Sequence, residues 1–427
     1  MDKIKVIFYG AGSYLARNLR RLNKLGYEPA CVCDADRSKW NKSFCGHADL
    51  IVLSLDEALA KFPDCKLYVT VDSNAMGTVL HYLSIERGIA IEKIVNWAPI
   101  EYRLGCNDLE TTIKFRSKRV FVRCYWRRPG IDRSDDTASD IRRFNAWREQ
   151  TIQAIRDGEP TPCDGCNNLK QGWYLVSRQM TSLQVSESDE YSFCNFNCCY
   201  CFNKARNKNL DPAKLPYTDE QLEVLRYVSE NISEKNLELQ FSTGEITVHP
   251  NRDKFLKLFH GYETLLFTNA AVYNEQIAAL MELGLMTIVV SMDCGTPETF
   301  FRIKSVDCYD RVCANLNRYA ATGGCVILKY IMLLGINDNE TESDGFVDLA
   351  ARLGAVIQLS NDTRTKCAVL PRNALRIVCR VASRAREKNL LIIHEKEVFS
   401  ETDNNTISEV LISDAGKLQN TRIHSSI

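Results

Sequence analysis

Short apolar runs alternate with amphipathic stretches over the first hundred residues. Residues 4–9 form the first apolar run and lead into a glycine-rich turn at residues 10–16. A helical pattern follows and stops at Gly26, and the next apolar run ends in Cys33-Asp34. Further apolar runs lie at residues 50–53, 67–71 and 94–95, with helical patterns between them. This alternation predicts a parallel, doubly wound α/β domain over residues 1–98.

A second strand–helix series begins near residue 171. Strand patterns lie at residues 182–186, 237–241, 264–268, 286–292, 326–333, 356–359 and 390–394, and helical patterns include 219–231, 275–283, 309–321 and 342–353. Such a series exceeds what a simple flat sheet holds, so we expect a partial or full parallel (β/α) barrel over residues 171–398. Its chemistry belongs at the C-terminal ends of the strands. The polar residues 399–427 are expected to form a loosely attached tail.

Residues 99–170 lose the alternation and are predicted to be a basic linker with one helix. From Lys114 to Arg148 there are eleven Lys or Arg and four Asp, with Phe115, Phe121, Tyr125 and Trp126 interleaved. A solvated connector whose aromatic residues pack on its neighbours is the favoured interpretation. A strip that contacts phosphate or nucleic acid is the alternative.

Charge and cysteine content limit the class of protein and the compartment that we expect for the chain. The 427 residues carry 54 Lys and Arg against 54 Asp and Glu, and this balance argues against a protein that coats nucleic acid. No run approaches the ~18 apolar residues of a membrane span. The first residues enter a strand without the apolar stretch of a signal peptide, so we expect a cytoplasmic protein. In that compartment the 18 cysteines are expected to be thiols.

Three cysteines follow the first predicted barrel strand, with three residues between Cys194 and Cys198 and two between Cys198 and Cys201. Thiolates bind soft metals, and three from one compact loop can hold three corners of an iron–sulfur cubane and leave one iron open. A structural zinc site would need a fourth ligand, and none of the six histidines lies in this loop.

The loop resembles the CxxxCxxC signature of the radical SAM (S-adenosylmethionine) superfamily, with the usual aromatic residue, Tyr200, before the last cysteine. The resemblance extends over roughly residues 180–395 and reaches successive strand ends. Thr243, Gly244 and Glu245 resemble the Gly-Gly-Glu motif, with Thr243 in place of the first glycine. Other matches are Asn269 in the third-strand Thr-Asn pair, Ser291 and Asp293 in the fourth-strand motif, and Lys329 in the fifth strand.

The resemblance implies a [4Fe–4S] cluster and S-adenosylmethionine as cofactors, and a flavodoxin- or ferredoxin-type electron donor. The open iron would chelate S-adenosylmethionine, whose reductive cleavage yields a 5′-deoxyadenosyl radical that abstracts hydrogen from the substrate. Glu245 would pair with the ammonium of S-adenosylmethionine, and Ser291 and Asp293 would face its ribose. Lys329 would pair with a carboxylate of cofactor or substrate, or else extend to solvent. Cys294 would be either a hydrogen-atom donor or a small buried residue, and the second interpretation is favoured.

A second pair, Cys163 and Cys166, forms a CxxC turn upstream of the cysteine loop. Such turns bind zinc, bind an auxiliary iron–sulfur cluster or act as a redox pair, and a metal role is weighed evenly here against a reduced structural pair. A complete auxiliary cluster would have to take further ligands from Cys308, Cys313 or Cys367.

The first domain carries a candidate nucleotide site. Gly10, Gly12 and Ala16 approach the G-x-G-x-x-G/A pattern, with Ala16 one position late. The domain also resembles Rossmann-like modules of surface-polysaccharide and sugar-modifying proteins, through Gly10, Gly12, Asp34 and Trp40. Either Asp34 bonds a ribose hydroxyl while the helix N-terminus after Gly12 binds phosphate, or the domain serves docking or dimerisation. The second interpretation is favoured.

These features together predict a radical SAM enzyme, an oxidoreductase, epimerase or radical transferase of a biosynthetic pathway. Its expected substrate is a small molecule, a sugar or a nucleotide-linked compound, without membrane or nucleic-acid partners. The alternatives are a peptide-modifying maturase and a non-catalytic iron–sulfur or zinc scaffold. Polar groups at successive strand ends argue against the scaffold.

Overall fold

The structure is a computed structural model of the chain. It describes residues 3–45, 47–116, 118–124, 127–134, 136–186, 193–201, 216–231, 237–242, 244–259, 262–365 and 368–412. The predictions made for Thr243, Tyr125, Trp126 and Cys367 lie outside the described residues.

A five-stranded sheet forms the first unit. Its strands are β1 (Ile4–Tyr9), β2 (Tyr27–Cys33), β3 (Ser43–Phe44), β4 (His47–Leu53) and β5 (Lys66–Val69), in the order β3-β4-β2-β1-β5. The helices are α1 (Ser13–Lys24), α2 (Leu55–Lys61) and α3 (Ser73–His81). Alternate residues of β1 enter different cores, Val6 and Phe8 on one face and Ile7 and Tyr9 on the other. Both faces of the sheet are therefore covered, as the doubly wound prediction requires.

Ten strands form the large sheet that carries the C-terminal unit. They are β7 (Thr112–Arg116), β8 (Arg119–Phe121), β9 (Gly130–Asp132), β11 (Ser182–Val185), β12 (Glu238–Phe241), β13 (Glu263–Phe267), β14 (Met286–Ser291), β15 (Val326–Met332), β16 (Val356–Asn361) and β17 (Ile392–His394). The order is β17-β16-β15-β14-β13-β12-β11-β7-β8-β9, with parallel pairing from β17 to β7. Among the described residues β17 and β9 do not pair with each other, so the barrel is partial.

Helices cover one face of this large sheet. They are α6 (Pro216–Asn231), α7 (Arg252–Leu258), α8 (Glu275–Glu282), α9 (Pro297–Lys304), α10 (Tyr309–Ala321), α11 (Glu340–Leu353), α12 (Arg372–Glu387) and α13 (Glu401–Ile412). A separate antiparallel pair, β6 (Ile100–Gly105) and β10 (Lys170–Leu175), lies outside the large sheet, and the same stretch of chain contains α4 (Asn107–Thr111) and α5 (Thr137–Asp157).

Where the chain is described, residues 99–170 contain the expected helix and packed aromatic residues, but they are not a separate solvated linker. Strand β7 is the parallel neighbour of β11 and so belongs to the barrel sheet. Phe115 and Phe144 are buried in its core. Arg148 is also buried, and its guanidinium donates to the carbonyls of Glu110 and Thr112 at 3.2 and 2.9 Å. The strands here are too short for their alternation of buried and exposed residues to stand out in the sequence.

The prediction of a loosely attached tail is also wrong for residues 401–412. Helix α13 packs on α12, and both Asp403 and Ile407 are fully buried. The Asp403 carboxylate accepts a hydrogen bond from the Leu370 amide at 3.0 Å. A single buried side chain per turn is enough to anchor a helix whose other positions are polar.

The first domain contacts the barrel through α1. Arg17 reaches Glu238, the first residue of β12, at 2.6 Å, and Glu263, the first residue of β13, at 3.3 Å. Arg20 donates to the carbonyls of Glu282 and Thr322 at 3.0 and 2.7 Å. Helix α1 therefore lies across the amino-terminal ends of the barrel strands. The interpretation of this domain as a docking or dimerisation module stays a prediction.

No helix among the described residues is long and apolar enough to cross a membrane.

Candidate active site

Polar and sulfur-bearing side chains meet at the carboxyl-terminal ends of successive strands. The cysteine loop follows β11, Glu245 follows β12, Asn269 follows β13, Asp293 follows β14 and Asn337 follows β15. Because these strands are parallel neighbours, their ends lie along one edge of the sheet.

The cysteine loop is held against the end of α9. The amides of Asn197 and Cys199 donate to the carbonyls of Lys304 and Ile303 at 3.1 and 2.8 Å. Arg364, which follows β16, donates to the carbonyl of Cys199 at 2.8 Å. The end of α9 and the segment after β16 thus fix the backbone that carries the cysteines.

Gly244 allows the β12 loop to approach the cysteine loop. The amide of Glu245 donates to the carbonyl of Phe193 at 2.7 Å. Gly244 has φ +67°, and a Cβ atom built there would lie 2.3 Å from the same carbonyl oxygen. Both the left-handed backbone and the close approach require glycine.

The Glu245 carboxylate is 1% exposed and is engaged by its own neighbours. One oxygen accepts from the hydroxyls of Thr247 and Thr268, each at 2.7 Å, and the other accepts from the amide of Asn269. Burial raises the pKa of Glu245, and these hydrogen bonds oppose the rise without cancelling it.

Asn269 connects this carboxylate to the cysteine loop. Its side-chain amide donates to Asn195 at 2.7 Å and lies 3.9 Å from the sulfur of Cys194. Since its backbone amide binds Glu245, the Asn269 residue contacts the loop and the β12 end at once.

A buried ion pair lies beneath the loop. Asp293 is fully buried at φ +63°, and its carboxylate accepts from the Tyr200 hydroxyl at 2.7 Å and from the Lys304 ammonium. Lys304 is 2% exposed and also donates to the Tyr200 hydroxyl at 2.7 Å. Burial disfavours the charged lysine, but Asp293 and Tyr200 outweigh that effect and raise the pKa of Lys304.

Sequence reasoning missed Lys304. The available signal was its place on the inward face of α9, one residue after buried Ile303 and four after buried Phe300. A lysine at such a position needs a carboxylate partner. Its charge also acts on Cys198: burial raises the pKa of this thiol and Lys304 opposes the rise, which favours the metal-binding thiolate.

Asn337 and Glu342 organise the backbone around Asp293. The Asn337 amide donates to the carbonyls of Asp293 and Ile331 at 2.7 and 2.8 Å. Glu342 accepts from the amides of Gly295 and Thr296 at 2.8 and 3.1 Å. Sequence reasoning missed the role of Glu342, because a contact spanning 47 residues leaves no local pattern.

Lys329 lies on β15 and already has an acidic partner. Its ammonium is 2.8 Å from Glu395, and in the strand register it neighbours Ser291 and Gln358. Burial would raise the pKa of Glu395, but Lys329 outweighs this and holds it below the ordinary value. The lysine therefore does not extend to solvent, and this end of the sheet presents a charge-paired polar surface.

Cys294 is fully buried, and its thiol donates to the carbonyl of Met292 at 3.3 Å. Burial raises its pKa strongly. Its role as a hydrogen-atom donor and its role as a small buried residue both stay predictions. Its complete burial favours the second.

The remaining predicted residues lie elsewhere. Asp34 accepts from the Ala11 amide at 2.7 Å and from Lys39 at 2.9 Å, so its carboxylate is engaged by the first domain itself. Gly10 has φ +115° and a built Cβ would lie 2.8 Å from the Thr70 carbonyl, while Gly12 precedes α1. Cys163 and Cys166 lie in the turn before β10.

The donor set of the loop fits a cluster. Cys194, Cys198 and Cys201 are partly buried, and none is in a disulfide. Within the described part of the chain, no three metal-binding side chains are gathered around a single point. A cubane makes a different demand from a single ion, because each thiolate binds its own iron. The hydrogen bonds to Cys194 from the Phe196 amide, at 3.4 Å, and from Asn269 are of the kind that tunes cluster sulfurs.

Comparison with known proteins points the same way. Residues 191–348 match the family model described as Radical SAM superfamily. A protein of Thermococcus kodakarensis named "Probable GTP 3',8-cyclase" is 27% identical over 184 residues, which are 43% of this chain and 57% of that protein. The GTP 3',8-cyclase of a Sulfurovum species is 27% identical over 38% of this chain and 49% of its own length. The chain thus spans about half the length of the curated relatives it matches.

Among solved structures, the chain is similar to Streptococcus suis SuiB, with 14% identity and a TM-score of 0.40. The similarity covers 62% of this chain and 56% of that one.

Proposed function

We propose that the chain is a radical SAM enzyme, which cleaves S-adenosylmethionine reductively and abstracts hydrogen from a small polar substrate; the match of residues 191–348 to the superfamily model supports this. The [4Fe–4S] cluster and S-adenosylmethionine, when bound, supply the 5′-deoxyadenosyl radical. Cys194, Cys198 and Cys201 would hold the cluster. The single observation that carries this proposal is the convergence of the cysteine loop with Glu245, Asn269 and the Asp293 network at adjacent strand ends.

The chain's own residues would position and orient the cofactor. Among the described residues, one carboxylate oxygen of Glu245 is bound by three donors and the other by the Asn269 amide, so the second keeps room to accept an ammonium hydrogen bond. Asn269 keeps this carboxylate in a set relation to Cys194. Fixed groups of this kind need no reorganisation when charge arrives.

Lys304 would have a positioning role in this function. It binds Asp293 and Tyr200, and Asp293 in turn accepts from the Ile331 amide at 2.9 Å. The cysteine loop, the end of β14 and the end of β15 are thereby tied to one buried cation. The proposed ribose contact of Asp293 would have to use an oxygen that this network already engages, so Ser291 is the better placed candidate for that contact.

The substrate is proposed to be a small molecule, a sugar or a nucleotide-linked compound. The Lys329–Glu395 pair and its neighbours Ser291 and Gln358 are hydrogen-bonding groups suited to a polar ligand. Relatives named GTP 3',8-cyclase make a purine nucleotide the first member of this class to test. A peptide substrate is the alternative within enzymes.

The test is anaerobic reconstitution with iron and sulfide, followed by addition of dithionite and S-adenosylmethionine. We expect about four irons in the loop and release of 5′-deoxyadenosine. Cys198→Ala should remove these irons and the product, while Cys199→Ala, a change of the same size at the adjacent position, should leave both. A zinc-loaded protein without 5′-deoxyadenosine would instead favour the scaffold.

Substrate and electron donor are tested separately. Deuterium from labelled GTP should appear in 5′-deoxyadenosine if a purine nucleotide is the substrate, and a labelled peptide should not transfer it. If GTP transfers no deuterium, GTP is excluded as the substrate, but the proposed cleavage of S-adenosylmethionine is unaffected. A flavodoxin or ferredoxin should replace dithionite as reductant.

A further inference from the structure

Four cysteines lie on three separate chain segments that strand pairing and a hydrogen bond bring together. Cys163 and Cys166 occupy the turn before β10, Cys106 follows β6, and Cys124 follows β8. Each is a free thiol. Cys106 and Cys163 are 8% and 7% exposed members of one hydrophobic core, against which Cys124 packs.

Strand pairing brings Cys106 to the CxxC turn. In the antiparallel pair of β6 and β10, Gly105 lies opposite Lys170. Cys106, the next residue after Gly105, therefore lies beside the end of the turn that precedes Lys170. The turn is closed by hydrogen bonds from the Cys166 amide to the Cys163 carbonyl and from the Leu169 amide to the Cys166 carbonyl, each 3.0 Å.

A second contact brings the Cys124 segment to the same turn. Arg127, three residues after Cys124, donates to the carbonyl of Asp164 at 3.1 Å. Asp164 itself is held by the Thr161 hydroxyl at 2.7 Å. The segment after β8 is thus tied to the middle of the CxxC turn.

We propose that Cys106, Cys124, Cys163 and Cys166 form a second metal site, a closed four-thiolate centre for zinc or an iron–sulfur cluster. Four thiolates are a complete ligand set for either centre, so this site needs no open position and serves structure or electron transfer. In the described structure its thiols, like those of the strand-end loop, are not gathered around one point. Metal binding would draw in side chains whose backbones are already adjacent.

This assignment replaces the ligands suggested by the sequence. Cys308 is the N-cap residue of α10 and Cys313 lies in its first turns, so both belong to the stretch of chain between β14 and β15. The centre would join the end of β6, the segment after β8 and the turn before β10.

The experiment starts from the full chain with Cys194, Cys198 and Cys201 replaced by alanine, so that only the second site remains. It is reconstituted anaerobically, in one arm with zinc and in the other with iron and sulfide. We expect about one zinc or one cluster per chain. Zinc content without cluster assembly identifies a structural zinc site, and a cluster identifies an auxiliary iron–sulfur centre.

Adding Cys124→Ser and Cys163→Ser to this parent should lower the bound metal to about a tenth or less. Cys308→Ser is the matched control, because Cys308 is 7% exposed in the same core, and it should leave the metal content unchanged. X-ray absorption of the parent should show four sulfur ligands. A parent that binds no metal in either arm, a centre with fewer sulfur ligands, or one that survives the double substitution would overturn the proposal. If the double variant misfolds, the sulfur count of the parent still decides.

Discussion

Arg17→Met tests whether buried charges hold the first domain on the barrel. The Arg17 side chain is 10% exposed and lies between Glu238 and Glu263, which are 17% and 4% exposed. Removing one partner of a buried ion pair typically costs about 3–5 kcal/mol, because the other charge stays desolvated. Each carboxylate keeps a weaker contact, Glu238 to Arg123 at 3.4 Å and Glu263 to Arg21 at 3.6 Å. We therefore expect a loss of about 3 kcal/mol in the free energy of unfolding.

The effect should depend on pH. Burial would raise the pKa of Glu238, but Arg17 and Arg123 outweigh it and hold the pKa below its ordinary value. In the native protein this carboxylate therefore stabilises the fold above its unfolded pKa, and the contribution is lost as the pH falls through its lower folded pKa. Without Arg17 the pKa of Glu238 in the folded protein rises. The loss of stability relative to the native protein should therefore be largest near neutral pH. Its deficit should narrow as the pH falls below the ordinary carboxyl range.

The assay is urea unfolding followed by two probes, since a chain with two units need not unfold in one step. Arg318→Met is the matched control, because Arg318 is 53% exposed and its partner Glu275 is 80% exposed, at 3.1 Å. That exposed pair should contribute less than about 1 kcal/mol. Adding Glu238→Gln to Arg17→Met should recover part of the loss. Equal effects of the two arginine substitutions would refute the reasoning.

Three further substitutions probe the candidate site. Lys304→Met should lower the free energy of unfolding by about 3 kcal/mol and make the reduction potential of the loop cluster more negative. The potential is measured by a redox titration followed by electron paramagnetic resonance, and an unchanged value would contradict the prediction. Gly244→Ala should displace the cysteine loop from Phe193 and reduce its iron content at least about twofold. Gly354→Ala, at φ +60° in open space, is the control for backbone strain alone and should retain the iron. Glu245→Gln should weaken S-adenosylmethionine binding about tenfold to a hundredfold by equilibrium dialysis, and an unchanged affinity would show that its carboxylate does not contact the cofactor.

The order and type of most elements could be predicted from the sequence alone. The helical pattern at residues 309–321 corresponds to α10 (Tyr309–Ala321), and the apolar run at 286–292 to β14 (Met286–Ser291). Such patterns are local, because a residue's burial recurs with the period of its own helix or strand. The cysteine spacing is local in the same sense, so the order of residues along the chain was enough to indicate the superfamily.

Tertiary structure decided which distant residues share a site. Arg17 meets Glu238 across 221 positions, and Lys304 meets Tyr200 across 104. The grouping of Cys106 with the CxxC turn depends on the pairing of β6 with β10. Packing determines these contacts, and a lysine or cysteine has the same local pattern whether it is solvated, buried or bound to a partner. The periodicity of the chain therefore specified the sheets and helices, while the ion pairs and thiol groups depended on how those elements packed.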